Sequence, residues 1–192
     1  MILPVVKNGH PALRQKGTRI ASVTLTIRQL IADMFETMYA NKGVGLAAQQ
    51  VGKPLQLTVI DVRGAVDRPS TLDLGGKPAD VQEFMPLVLI NPEIKPAGEP
   101  VVGPEGCLSF PEIFADVTRP EFVEVKAMNE AGKPVEFRCG GLLARAVQHE
   151  GDHLNGILFI DRMDKKSKDE LRAELDALQA ETKAALQQAR KA

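Results

Sequence analysis

The sequence predicts an α+β fold: a single domain whose antiparallel or mixed sheets pack around a central helix carrying an H-E-x-x-H pattern, with a further helix at the C-terminus. The 192 residues suffice for one domain, or one domain with an appendage, and contain neither an internal repeat nor a second core-sized segment. The periodic segments follow in the order helix, several strands, helix, strand, helix, which is not the alternation of a βαβ array. The catalytic unit is expected over 1–166, with 167–192 as a C-terminal helix of the same domain.

Each element has a local reason. Pro4 and Pro11 discourage regular helix, so residues 1–23 read as an extended or looped lead-in. Thr24 or Thr26 can cap a helix in which Ile27, Leu30, Ile31, Met34, Met38 and Tyr39 recur at helical spacing. KGVGLAAQQVG follows as a glycine-punctuated loop. LQLTVIDV (55–62), rich in β-branched residues, reads as a strand. Between Arg63 and Pro86 the glycines and prolines indicate a long loop or an irregular hairpin. MPLVLINPEI, EFVEVKAMN and KPVEFRC are further strands, the last two joined by a turn over Asn129–Gly132. Gly140-Gly141 opens the helix LLARAVQHEGDHL, which Asn155-Gly156 can end. The run ILFI reads as a short strand. Ser167 with Glu170 three residues on has the capping-box pattern ahead of a helix carrying Leu171, Leu175, Leu178 and Leu186.

Composition excludes several classes. Hydrophobic residues make up 44% and charged residues 26%, as in ordinary globular proteins. A formal net charge of -1 gives no global basic field, so sequence-specific nucleic-acid binding is not expected. No apolar run reaches roughly 18 residues, so no transmembrane helix is expected. The opening MILPVVKNGHPALRQKG lacks the features of a secretory signal, and two cysteines are too few for a disulfide scaffold. The expected location is the cytoplasm.

The chemistry concentrates in VQHEGDHLNG (147–156), which holds two of the three histidines. Histidines at i and i+4 lie on one helix face, so His149 and His153 can offer two imidazole nitrogens to one metal ion. Glu150 is rotated about 100° from that row and can approach a metal-activated water from the side, as a general base. A catalytic centre of this kind needs a third protein ligand. No histidine follows His153, and the later carboxylates lie in a solvated helix. Cys107, in a glycine-flanked turn of GPEGCLSFP, is the preferred third ligand, whereas Cys139 reads as a small buried hydrophobe. Gly151 costs about 1 kcal/mol of helix propensity, and close packing is its expected reason. One thiolate and two imidazoles suit zinc or ferrous iron alike.

Three segments together resemble peptide deformylases: GVGLAAQQVG at 43–52, EGCLSFP at 105–111 and QHEGDHLNG at 148–156. The family patterns are G-x-G-x-A-A-x-Q, E-G-C-L-S and a QHE…DH spacing around H-E-x-x-H; GHPALRQ at 9–15 and ILFIDRM also match. The resemblance implies removal of the formyl group from N-formylmethionyl peptides, giving formate and a free amino terminus. It implies Cys107, His149 and His153 as metal ligands and Glu150 as general base and acid. It implies Gln49 and the Leu108 N–H as donors to the developing oxyanion. Gly45 matches a loop position that pairs with the substrate backbone, and Val44, Arg145 and Ala146 fall where the family lines the methionine pocket. An arginine there is expected to turn its head to solvent. Glu105 and Arg119 are expected to pair and fix the loop bearing Cys107. The resemblance implies one divalent ion, Fe(II), with Zn, Ni or Co as substitutes. It also implies docking on the ribosome through the long C-terminal helix, whose end carries Lys183, Arg190 and Lys191.

Three competing readings make separate predictions. An H-E-x-x-H metallopeptidase would use a third ligand other than Cys107 and keep its metal when Cys107 is replaced. A thiol enzyme with Cys107 as nucleophile would ignore chelators. A structural metal domain would close its site with four ligands.

Overall fold

A computed structural model describes residues 1–190, so Lys191 lies outside the described residues. Thr24 caps α1 (Leu25–Ala40), its hydroxyl accepting from the Ile27 N–H at 3.3 Å. Ile31, Met34 and Met38 form the buried stripe of α1, while Tyr39 leaves it and donates to Asp61 Oδ2 at 2.7 Å. The expected loop after α1 contains β1 (Gly45–Ala47) and a 3-10 turn (Ala48–Val51), followed by β2 (Leu57–Ile60). The segment after Arg63 resolves as the hairpin reading: β3 (Ser70–Leu74) turns through Gly75 and Gly76 into β4 (Lys77–Pro78), then a short α2 (Val81–Phe84).

β5 (Leu87–Cys107), β6 (Phe110–Met128) and β7 (Pro134–Gly140) complete one seven-stranded sheet among the described residues, ordered β1-β2-β5-β6-β7-β3-β4 with every strand pairing antiparallel. α3 (Gly141–Leu154), α4 (Phe159–Arg162) and α5 (Lys165–Ala189) follow. The apolar runs LTVI of β2 and LVLI of β5 are covered on both faces. Val88 and Ile90 pack with α1, while the alternate residues Leu87 and Leu89 pack with Leu143 and Val147 of α3. α1 and α3 thus lie on opposite faces of the same strands.

Three expectations change. β5 and β6 extend far beyond the strands read from sequence and take in residues 95–120. β5 pairs with β2 only up to Ile90, so Pro92, Pro96, Pro100 and Pro104 occupy an open edge and bulged stretches, where a missing N–H costs no ladder bond. Cys107 therefore ends a strand, with the tight turn at Leu108-Ser109 immediately after it.

ILFI is not a strand. Phe159 starts α4 and packs edge-on against Phe110 with ring centroids 5.2 Å apart, while Asp161 Oδ2 accepts from the Leu158 N–H. α5 begins at Lys165 rather than after Ser167, because Asp164 is the cap and accepts from the Ser167 N–H at 2.7 Å. Leu171, Leu175 and Leu178 of α5 pack on the cluster formed by Leu13, Phe110, Ile113 and Phe159; Leu186 is not part of it. No helix among the described residues is long and apolar enough to cross a membrane.

Candidate active site

α3 sits inside the molecule: apart from Gly141 and Arg145, every residue in it is buried. Gly151 packs closely where β5 crosses, since a Cβ there would lie 2.5 Å from Ile94 Cδ1 and the Ile94 side chain would have to shift. Close packing is thus the reason for this helix glycine. On the face toward the Cys107 turn, His149 and His153 are one turn apart, their ring centroids 5.0 Å from each other. Cys107 Sγ lies 3.3 Å from His153 Nε2, and one donor atom from each of Cys107, His149 and His153 falls within 4.8 Å of the others. A single ion about 2.0–2.3 Å from each donor fits such a trio, and one thiolate with two imidazoles is a normal donor set for it. His149 turns its other ring nitrogen to Glu105 Oε2 at 2.8 Å, an outer contact that fixes the ring.

Behind the trio is a buried ionic network. Arg119 holds Glu105 through Nη2 at 3.0 Å and Asp152 through Nη1 at 2.8 Å. Arg162 caps Asp152 from α4 at 2.7 Å. The expected Glu105–Arg119 pair is present, and it is one link of a chain joining β5, β6, α3 and α4. Burial opposes ionisation of Glu105, but the hydrogen bonds from His149 and Arg119 outweigh it and hold the carboxyl well below the usual carboxylate range. Burial likewise opposes charge on both imidazoles. At His149 the Cys107 and Glu105 contacts outweigh it and raise its pKa, while burial and the neighbouring His149 charge push His153 down.

Glu150 stands off the histidine row. Burial pushes its carboxyl up to about 7, and its Oε2 has no protein partner among the described residues. A buried carboxyl poised near neutrality can both take and return a proton. Gly45 of β1 faces it so closely that a Cβ there would run into the carboxylate. Val44, Gly45, Leu108, Ala146 and Glu150 line one cavity with Cys107 and His149. Arg145 also borders it, but its head does not turn to solvent as expected. It donates to the carbonyls of Val101 (2.9 Å) and Val117 (2.8 Å) and to Glu105 Oε1 (3.1 Å), pinning the hairpin of β5 and β6 to α3.

Gln49 is the one expected site residue that the structure places elsewhere. Its side chain is fully buried with neither amide atom hydrogen-bonded among the described residues. Gln50 instead faces the cavity: its Nε2 lies 3.4 Å from Cys107 Sγ and from Ser109 Oγ, while its Oε1 accepts from the Ala47 N–H at 2.9 Å. Residues 48–51 form a 3-10 turn, in which successive side chains diverge by about 120°, so neighbours cannot share a direction. The signal was in the spacing: counted from Gly43, G-x-G-x-A-A-x-Q ends on Gln50. The Asp152–Arg162 link was also absent from the sequence reading.

Comparison with known proteins identifies the family. Residues 2–169 match the family model for polypeptide deformylase. The peptide deformylase of Opitutus terrae is 46% identical over 188 residues, covering 96% of this chain and 97% of that protein. The peptide deformylase of Methylacidiphilum infernorum is 48% identical over 178 residues, covering 93% of each. Among solved structures, a Synechococcus elongatus peptide deformylase in complex with actinonin superposes with a TM-score of 0.74 at 40% identity, covering 94% of this chain and 85% of that one. A Legionella pneumophila peptide deformylase gives 0.77 at 36% identity over 100% of both chains. With most of its length matched by the family model and by relatives of this similarity, the chain belongs to the polypeptide deformylase family.

Proposed function

We propose that this enzyme removes the N-formyl group from N-formylmethionyl nascent peptides through a metal-dependent site held by Cys107, His149 and His153, with Glu150 moving the proton. The observation that carries the reading is the Cys107–His149–His153 donor trio beside a cavity lined by Cys107, His149 and Glu150, with the Glu150 Oε2 lacking a protein partner among the described residues. When bound, the ion supplies Lewis acidity that brings the pKa of a water down to about 7. Glu150 accepts the proton of the attacking water and delivers it to the departing amine. Gln50, in place of Gln49, and the Leu108 N–H donate to the oxyanion that forms as the formyl carbon becomes tetrahedral. The Gly45 backbone pairs with the substrate chain, while Val44, Ala146 and the aliphatic stem of Arg145 line the pocket for its methionine end. The catalytic unit runs to the start of α5, and that helix (Lys165–Ala189) belongs to the same domain.

Formate release from a formyl-methionyl tripeptide by anaerobically purified protein tests the reaction. Release that a chelator abolishes and added metal restores is expected; chelator-insensitive release would favour a thiol mechanism. We propose Fe(II) as the native ion, with Zn, Ni or Co as substitutes, to be read by elemental analysis of the same sample. In that assay Gln50→Leu is expected to lower kcat by roughly 10²–10³-fold, the cost of one oxyanion donor, while Gln49→Leu leaves it within a fewfold. Equal losses would return the role to Gln49. We also propose that α5, with Lys183 and Arg190 near its end, docks on the ribosome. Removal of 180–192 is then expected to abolish co-sedimentation with ribosomes without altering tripeptide turnover.

A further inference from the structure

Lys7 belongs to the lead-in that the sequence reading left without a role, yet its side chain reaches the active cavity. Its ammonium donates to the Leu108 carbonyl at 2.8 Å, and Lys7 lines the same cavity as Cys107 and Glu150. That carbonyl is its one hydrogen-bond acceptor among the described residues, and it forms no ion pair there. The flanking backbone makes the same crossing. The Val6 N–H donates to the Gln50 carbonyl at 2.8 Å, and the Asn8 N–H donates to the Ser109 carbonyl at 3.0 Å. Residues 6–8 therefore tie together the 3-10 turn bearing Gln50 and the turn at 108–109. These two segments share few other links: Gln50 Nε2 meets Cys107 Sγ and Ser109 Oγ only at 3.4 Å.

We infer that Lys7 is a positioning residue for deformylation, holding the Leu108 carbonyl so that the Leu108 N–H presents to the developing oxyanion. The inference rests on the deformylase reading above. The two peptide planes meeting at the Leu108 Cα carry, respectively, its N–H and its carbonyl. Strand pairing with Phe110 holds Cys107 on one side and Lys7 holds the carbonyl on the other, so the Leu108 N–H between them is oriented from both sides. A backbone donor that swings even slightly off line loses much of its worth, because oxyanion stabilisation depends on donors aimed before the charge develops. The two backbone bonds at Val6 and Asn8 keep the segment in place when the Lys7 side chain is changed, so the side-chain contribution can be read separately.

The test uses metal-loaded Lys7→Met and Lys7→Arg proteins beside wild type, measuring metal content, melting temperature, kcat and KM on a formyl-methionyl tripeptide. Lys7→Met is expected to lose about 10- to 100-fold in kcat, with KM within twofold and metal content and melting unchanged. Lys7→Arg, which keeps a donor of sufficient reach, is expected to recover most of the loss. Wild-type kcat in Lys7→Met overturns the inference, as does a loss confined to KM or one that tracks lost metal. Should Lys7→Met unfold, Lys7→Arg decides: a folded but equally impaired Lys7→Arg overturns the inference. No formate from metal-loaded wild type would overturn the deformylase reading and this inference together, whereas the preceding outcomes strike the inference alone.

Discussion

Glu150→Gln is expected to cut kcat/KM for a formyl-methionyl tripeptide by about 10²–10⁴-fold, the usual contribution of a positioned general acid–base group, while metal content stays at the wild-type level. The substitution keeps the size of the side chain beside Gly45 and removes only its capacity to carry a proton. The carboxyl suits the task because burial brings it to about 7, close to the pH at which it must work in both directions. Glu150 is not one of the three donor residues, so loss of activity without loss of metal separates its role from theirs. Equal loss of both would mean that Glu150 serves the ion, and the proton-transfer assignment would fail. Turnover within tenfold of wild type would also sink it.

The second large effect is on stability. Arg119→Met is expected to destabilise the fold by roughly 3–5 kcal/mol, the typical cost of removing one partner from a buried charge network. Glu105 and Asp152 would each lose a guanidinium contact while remaining buried among β5, β6 and α3. For a chain of this length the melting temperature should fall by about 10 °C or more. Because Glu105 orients His149, metal affinity should weaken as well, by about 10- to 100-fold. Thermal melts in saturating metal and a competition titration measure the two effects. A melting temperature within two or three degrees of wild type would mean that Arg145 and Arg162 carry the network without Arg119.

Legibility from the sequence followed the strength of local constraint. α1 was readable from its buried stripe at helical spacing and its Thr24 cap, and α3 from the His149–His153 spacing and the glycines at its start. β2 and the start of β5 were readable because coverage on both faces demands unbroken apolar runs. Residues 95–120 were not, since their prolines and glycines signal breakage unless one knows that β5 has an open edge there. ILFI illustrates the short apolar run that suits either a strand or a buried turn of helix; only the Phe110 contact decides. At the C-terminal helix the Ser167–Glu170 pattern set the start too late, because the Ser167 N–H is already taken by Asp164, which caps the helix. The metal donors were legible as residue types at a spacing. The choice of Gln50 over Gln49 was legible in the motif spacing counted from Gly43, and the 3-10 turn supplies its physical reason by sending the two side chains in different directions. The inward turn of Arg145 required carbonyls of a hairpin that had not yet been recognised.

Cys107 comes from the end of a strand and the two histidines from a helix more than forty positions later, so the three donors meet only in the folded chain. Any ion that selects this trio selects the native state, and its binding energy is added to the free energy of folding. At a free concentration a thousand times the dissociation constant that linkage amounts to about 4.1 kcal/mol, comparable with the Arg119 network itself. The supply of metal in the cell then governs more than turnover. Chain that carries its ion spends less time unfolded than chain without it, and is by that margin less open to proteolysis.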